Sequence, residues 1–418
     1  MELPPMPTAQ VLWHDAATIA AVAIFAATYL FMAIGKLPGY HLDRAGAALL
    51  GASLMVWLGV LSLEEAYRAI DFDTVALLLG MMIVVANLRL SGFFLLINEW
   101  VVSRARHPLV LLTAIVLMAG SLSAFLVNDT ICLAMTPLVI DIVIRLKRNP
   151  IPYLLAIAMA SNVGSTATIT GNPQNMIVGS LSHIHYTNFA AALSPIAVAG
   201  LLLTVVLIAL IYRREFLTRE VFNVEVAKPI RFYRTIIIKS LGVTAVMIAL
   251  FFAGQPVAKV AILGGAFMLF TRRIKAHKVY REIDWPMLVM FVGLFIVVAG
   301  FEKIMLTPGV IAAVARQHLD SVAVLSVVTA TLSNLVSNVP AVLVLKPFVA
   351  AMNHPQRAWL VIAMASTLAG NLTVVGSVAN LIVVQRAQGA GITVGFWAYF
   401  KVGAPLTLLT ILFGIYWL

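Results

Sequence analysis

The chain has 418 residues, of which 62% are hydrophobic and 11% charged, with a mean hydropathy of +1.01 and a formal net charge of +11. So few charges cannot cover a soluble domain of this size, and the apolar residues come in blocks of roughly 20 rather than alternating, which excludes a membrane β-barrel and leaves a polytopic helical membrane protein. The positive balance fits basic cytoplasmic loops rather than a nucleic-acid partner, and the single cysteine, Cys132, excludes an internal disulfide and a multi-thiolate metal site.

Residues 1–15 are acidic and Pro-rich and lack the basic start and cleavage pattern of a signal peptide, so 17–34 is expected to stay as the first span. Spans follow near 45–61 and 74–90. The stretch 108–146 is apolar with a polar break near Asn128, and reads as a re-entrant hairpin that enters and leaves on one side. An interrupted span covers 152–182, and a continuous one 189–212. The charged segment 213–234 links to a second series: spans 235–253, 256–271 and 284–301, a hairpin 320–352, an interrupted span 358–386 and a last span 394–418. The expected architecture is an all-α integral membrane protein of about ten transmembrane helices plus two re-entrant hairpins, arranged in two repeats, 1–212 and 235–418, around the cytoplasmic linker.

An odd number of spans per half inverts the second repeat. One face then collects Lys36, Arg44, Arg89, Arg104, Arg106, Arg145, Lys147, Arg148, the 213–239 segment, the 272–281 segment and Arg386. The other face keeps little beyond Arg68, Lys303, Arg316 and Arg357. The positive-inside rule makes the first face cytoplasmic and both termini extracytoplasmic, in a plasma or inner membrane. Full double spans in place of hairpins would leave these sides unchanged, so charge supports the topology without proving re-entrance.

The two interruptions are copies of one another. Residues 158–175 read AMASNVGSTATITGNPQN and residues 363–380 read AMASTLAGNLTVVGSVAN, with Thr168/Thr373, Gly171/Gly376 and Asn175/Asn380 in register. A duplicated pair of Gly-interrupted apolar segments is the best pointer to a transporter's substrate site. The breaks free backbone N–H and C=O groups and add Asn162, Ser165, Thr166, Thr168, Thr170, Asn172, Asn371, Thr373 and Ser377 as candidate ligands. Gly164, Gly171, Gly370 and Gly376 let the backbone turn and approach a ligand, and helix N-termini at a break favour oxygen-rich or anionic ligands. The bland alternative is that small residues merely let helices pack closely.

The hairpins also match. Asn128 and Asn338 each lie nine residues before a proline, Pro137 and Pro347, and the second hairpin carries Ser333-Asn334 one turn earlier. Asp129 is the acidic residue of the tips. It reads as a proton carrier or as a cap of the helix starting at Thr130, helped by Asn128. Lys346 could neutralise Asp129, attract an anion or titrate, or it could snorkel to the interface. Asp141, Asp284 and Glu302 sit near span ends and read as interfacial. His183 and His185 read as surface histidines rather than metal ligands. No His-Glu-x-x-His pair, pair of intramembrane aspartates or Ser–His pair stands out, so the chain is not read as an enzyme, and neither cofactor nor metal is expected.

On Asn128-Asp129…Thr136-Pro137, the Ser-Asn pairs at 161–162, 333–334 and 337–338, and the two Gly/Asn-rich breaks, the chain resembles the ion transporter superfamily. Its arms include arsenite efflux permeases, divalent anion–sodium symporters and certain sodium–proton antiporters. The short loops and the Asn-Asp tip are most similar to the arsenite permease arm, related to citrate and other anion permeases. The resemblance implies hairpin tips and broken helices meeting at a central site, in a transport domain that moves against a scaffold. It places Asn128, Asp129 and Thr130 at one tip and Asn334, Ser337 and Asn338 at the other. Two departures stand out. Thr367 stands where the first repeat has Asn162, so the second break lacks the Ser-Asn pair that sodium–dicarboxylate relatives carry twice, and Thr130-Ile131-Cys132 is not the Gly/Ala-rich continuation of arsenite pumps.

The function expected is export of arsenite and antimonite, small uncharged triols suited to Asn, Ser and Thr, in exchange for protons at Asp129. An inorganic or carboxylate anion permease using Lys346 and a sodium–proton antiporter stay open as alternatives. The basic loops 213–234 and 272–281 would suit a cytoplasmic ATPase subunit, although solvated positive-inside loops are the favoured account of them; a homodimer also stays open.

Overall fold

The computed structural model describes residues 9–35, 41–104, 106–218, 234–271, 273–305, 319–350 and 352–418. The linker segment 219–233, Lys36, Arg272 and Arg316 lie outside the described residues. The fold is all-α. The first series comprises α1 (Ala9–Ile34), α2 (Arg44–Trp57), α3 (Leu63–Ala69), α4 (Phe72–Ser91), α5 (Phe93–Arg104), α6 (Pro108–Phe125), α7 (Asn128–Arg145), α8 (Pro150–Ser165), α9 (Pro173–Ser182), α10 (Tyr186–Ile211) and α11 (Arg213–Phe216). The second comprises α12 (Arg234–Phe252), α13 (Val257–Leu269), α14 (Ala276–Tyr280), α15 (Trp285–Met305), α16 (Val322–Val336), α17 (Asn338–Val349), α18 (Pro355–Ala369), α19 (Val378–Gly389) and α20 (Phe396–Trp417).

Proline at the first turn opens α6, α8, α9 and α18, where its missing N–H leaves no bond unmade. Within helices, Pro137 and Pro195 of the first series recur as Pro347 and Pro405 in the second. Helices appear at each expected span and both hairpins are present, but those at 45–61 and 256–271 are shorter than expected. Four connecting helices were not expected: α3, closed at its start by a Ser62/Glu65 capping box, α5, separated from α4 only by Gly92 in the left-handed region, and the short α11 and α14 in the basic connections.

Seven described helices are long and apolar enough to cross a membrane by length and composition, α6 among them. The elements α2 and α13 have only 14 and 13 residues, about 20 Å at 1.5 Å per residue, short of a ~30 Å hydrocarbon core. Each leans on a long helix of the other series, α2 on α15 and α13 on α4. These contacts are backbone to backbone. A Cβ on Gly80 would collide with the Ala261 main chain, and one on Gly293 with that of Ala48. With α1 and α12 they form a frame. The remaining helices, α6–α10 and α16–α20, pack mainly on one another. Charges mark the ends of the frame: Lys303 of α15 meets Glu65 of α3 at one end, and Arg89 of α4 meets Glu282 ahead of α15 at the other.

Candidate functional site

The two broken helices are built alike. After Ser165, α8 passes through an extended Thr168 and a 3-10 turn over Ile169–Gly171 before α9 starts under an Asn172 cap. The second break repeats this with Thr373, a turn over Val374–Gly376 and a Ser377 cap. One asparagine ties each crossing together. Asn175 Nδ2 donates to the carbonyls of Ser165 (3.0 Å) and Thr168 (2.9 Å), and Asn380 Nδ2 to those of Gly370 (2.7 Å) and Thr373 (3.1 Å). Gly171 and Gly376 are required by the same fold-back, since a Cβ on either would press on the backbone of Ser165 or Gly370.

The breaks then interlock. Asn162 Nδ2 donates to Oδ1 of Asn371 (2.9 Å) and of Asn380 (3.0 Å), while its Oδ1 accepts from Asn128 Nδ2 (3.0 Å) and Ser377 Oγ (3.1 Å). All four hydrogen-bonding positions of that amide are used. The related position, Thr367, accepts from Asn172 Nδ2 (3.2 Å) and Gln174 Nε2 (3.1 Å) and lies 3.4 Å from Asn175 Oδ1. The second tip closes the knot. With its amide oriented so that both ends find partners, Asn338 donates to Gly376 O (3.0 Å) and accepts from Gln174 Nε2 (3.2 Å).

A cavity of about 810 Å³ runs from this knot past Met287 and Phe291 to Arg44 and Asp43. Of the expected site residues, Asn128, Asp129, Ser337, Asn338 and Ser377 line it. Thr130 lines a smaller cavity of about 80 Å³ on the other side of Asp129. Asn162 and Asn371 stand behind the tips in the knot. Ser165, Thr166, Thr168 and Asn172 do not line either cavity. Ser165 and Thr166 donate to the Asn162 carbonyl (2.9 and 3.2 Å), Thr168 to the Ala124 carbonyl, and Asn172 Nδ2 to Ser165 Oγ (2.9 Å). Thr373 offers its carbonyl to Asn380. Asn334 donates to Ala330 O (3.0 Å) and Ala369 O (3.1 Å).

Two side-chain expectations are corrected. Neither Asn128 nor Asp129 caps α7. The chain enters that helix through Val127 with no side-chain cap, and the half-buried Asp129 carboxylate has no hydrogen bond or ion pair among the described residues. Lys346 does not reach Asp129. Its Nζ lies 3.2 Å from Glu302 Oε1, near the Lys303–Glu65 end of the frame. Asp284 is not merely interfacial. It caps α15 through Met287 N and lines both cavities. Gln174, which bridges Thr367 and the second tip, has no counterpart in the second break, where Ala379 stands, so the duplication does not point to it. Ser337 was expected as a ligand but not as strained. Its φ of 81° places a side-chain-bearing residue in backbone territory that favours glycine, at the bend of the second hairpin.

Several known proteins share this chain's sequence or shape. A 46 kDa membrane protein of Mycobacterium leprae is 29% identical over 96% of this chain and 98% of its own. The silicon efflux transporter LSI3 of Oryza sativa subsp. japonica is 28% identical over 94% of this chain and 95% of its own. The putative transporter arsB of Dictyostelium discoideum is 24% identical over 90% and 87%. The crystal structure of the Alcanivorax borkumensis YdaH transporter, noted for an unusual topology, matches with a TM-score of 0.58 at 16% identity over 97% of both chains, which establishes a shared fold. The signature of the CitMHS citrate transporter family covers residues 29–369. This chain is a multi-pass membrane transporter that belongs to the citrate transporter family.

Proposed function

We propose that this transporter exports small uncharged metalloid hydroxides, arsenite and antimonite foremost, in exchange for protons carried by Asp129. The observation that carries the reading is the floor of the main cavity. Amides and hydroxyls from both tips and from Gln174 and Ser377 converge there, and Asn128 Oδ1 is buried without a partner among the described residues. An unpaired buried acceptor is rare unless something supplies a donor, and a triol supplies three. Among the described residues, the charges lining the cavity are Asp43, Asp129 and Asp284 against one cation, Arg44. That balance repels a carboxylate or other anion, which would need desolvated cations to offset its own burial cost. Lys346, the residue an anion permease would use, is occupied by Glu302. The relative named for silicon efflux supports the same substrate chemistry, because dissolved silicon is also an uncharged hydroxide.

Asp129 suits proton exchange because it faces both cavities with no cationic partner among the described residues, so its charge is not committed to structure there. Asp43 and Arg44 line the main cavity away from the knot; with the basic-rich face read as cytoplasmic, the described state is the one that would load substrate for export. The test is arsenite accumulation in everted vesicles under an imposed pH gradient in sodium-free buffer. Accumulation that collapses with a protonophore and vanishes in Asp129→Asn supports the reading; full driven transport by Asp129→Asn refutes it. The acidic lining also suits a cation, which makes sodium–proton antiport the second reading. Sodium-dependent proton movement without any metalloid would select it.

A further inference from the structure

The 80 Å³ side cavity lies between the frame and the first hairpin tip. Its frame wall is Ala86 and Arg89 of α4 with Glu282 and Asp284 ahead of α15, and its other wall includes Asp129 and Thr130 of α7. That volume holds two or three waters at ~30 Å³ each, and Thr130, Arg89 and the carboxylates supply their partners. We propose that the proton carried by Asp129 reaches the inner solution through this side cavity, past Asp284 and the Arg89–Glu282 pair, while substrate occupies the main one.

This rests on the proton-exchange reading above. The geometry then asks how a proton leaves when substrate seated against Asn128 fills the floor of the main cavity. Asp129 lines both spaces, so its carboxyl keeps a wet side when the other is occupied. Charge favours the side route. Among the described residues, three carboxylates, Asp129, Asp284 and Glu282, face it with one guanidinium, Arg89, which already contacts Glu282. Arg386 of α19 acts on Arg89 from outside the cavity, and Asp43 and Arg44 border only the main one. The side cavity is therefore short of positive charge, which a transiting proton supplies. The described residues contain no group of three His, Cys, Asp or Glu side chains placed to hold a metal ion, so the acids act singly rather than as one cage. Asp284 is the exposed member and Asp129 the half-buried one, which gives the route an outlet to water.

Two variants of the full-length protein in proteoliposomes test this with arsenite as probe. Ala86 is 2% exposed and lines only the side cavity; Ala86→Leu plugs it without altering any charge. The expected result is that pH-driven arsenite uptake falls about tenfold or more, while arsenite–arsenite exchange at equal pH, which moves no net proton, stays within about twofold of wild type. Asp284→Asn keeps an oxygen for the α15 cap and should show the same loss of driven uptake, with Asp284→Glu restoring it. Driven uptake at the wild-type rate in both Ala86→Leu and Asp284→Asn overturns the route. So does an equal loss of exchange and driven uptake in Ala86→Leu, which would mark the cavity as packing alone. Wild-type protein with neither activity overturns the metalloid reading itself and the route with it, whereas wild type active in both with indifferent variants overturns the route only.

Discussion

Replacing Asn162 with alanine removes four hydrogen bonds at once, and the structure separates what each loss costs. Asn371 and Asn380 are completely buried, and each loses the donor to its Oδ1. Leaving a buried acceptor unpaired costs about 1–3 kcal/mol. Asn128 and Ser377 border the main cavity, where water can replace Asn162, so each lost bond there costs only the net value of about 0.5–1.5 kcal/mol. The total is roughly 3–9 kcal/mol, most of it from the pair in the second repeat. Asn162→Thr is the control the molecule itself supplies, because Thr367 occupies the related position; one hydroxyl should recover part of the loss. The assay is thermal unfolding of the full chain in detergent. The expected order of melting is wild type, then Asn162→Thr, then Asn162→Ala, with the last lower by many degrees. An Asn162→Ala protein that melts within about 1 °C of wild type would show that the knot does not hold the two breaks together.

Ser337→Gly should raise stability by roughly 1 kcal/mol through release of the positive-φ strain, measured as a higher melting temperature; a lower one would mean that the hydroxyl outweighs the backbone cost. Lys346→Ala should leave pH-driven arsenite uptake intact while lowering stability, since Glu302 loses its partner; loss of transport with the fold preserved would return the anion reading. Glu65 is held down at about 2 by its hydrogen bonds from Lys303 and Ser62. The sign follows from that depression: its contact contributes fully above the ordinary carboxyl value of 4.5 and fades as pH falls from there through about 2. The stability difference between wild type and Lys303→Ala should therefore be flat from neutral pH down to the ordinary carboxyl value, and a difference that disappears well above it would contradict the pairing.

Much of the architecture was legible because apolar length and duplication are recorded residue by residue. The breaks at 158–175 and 363–380 and the paired hairpins follow from pattern alone, whereas the meeting of Asn128 and Asn338 with the breaks was implied by the family resemblance. What pattern does not record is direction. Ser165, Thr166 and Thr168 looked like ligands, yet their hydroxyls turn back onto carbonyls left open by the break itself, since an interrupted helix must satisfy its own backbone first. Asp129 looked like a cap, but the chain enters α7 through Val127. Asp284 sat where a span end is normally bathed in solvent, and only the shape of the main cavity brings solvent and site together there. The helix α5 escaped notice because its 12 residues fall short of a crossing and follow a single glycine.

The close contacts of Gly80 with Ala261 and of Gly293 with Ala48 bear on how the protein is made. Each short frame helix finds its long partner only in the other half of the chain, so the first half leaves the ribosome with α2 and α4 unpartnered along faces shaped for backbones not yet synthesised. The insertion machinery or lipid must shelter those faces until α13 and α15 arrive. A truncated first half is then a substrate for membrane quality control rather than a smaller transporter, while the two halves produced together in one cell have what they need to assemble. A bulky side chain at Gly80 or Gly293 would act at that moment, as a defect of biogenesis seen in protein yield before it is seen in turnover.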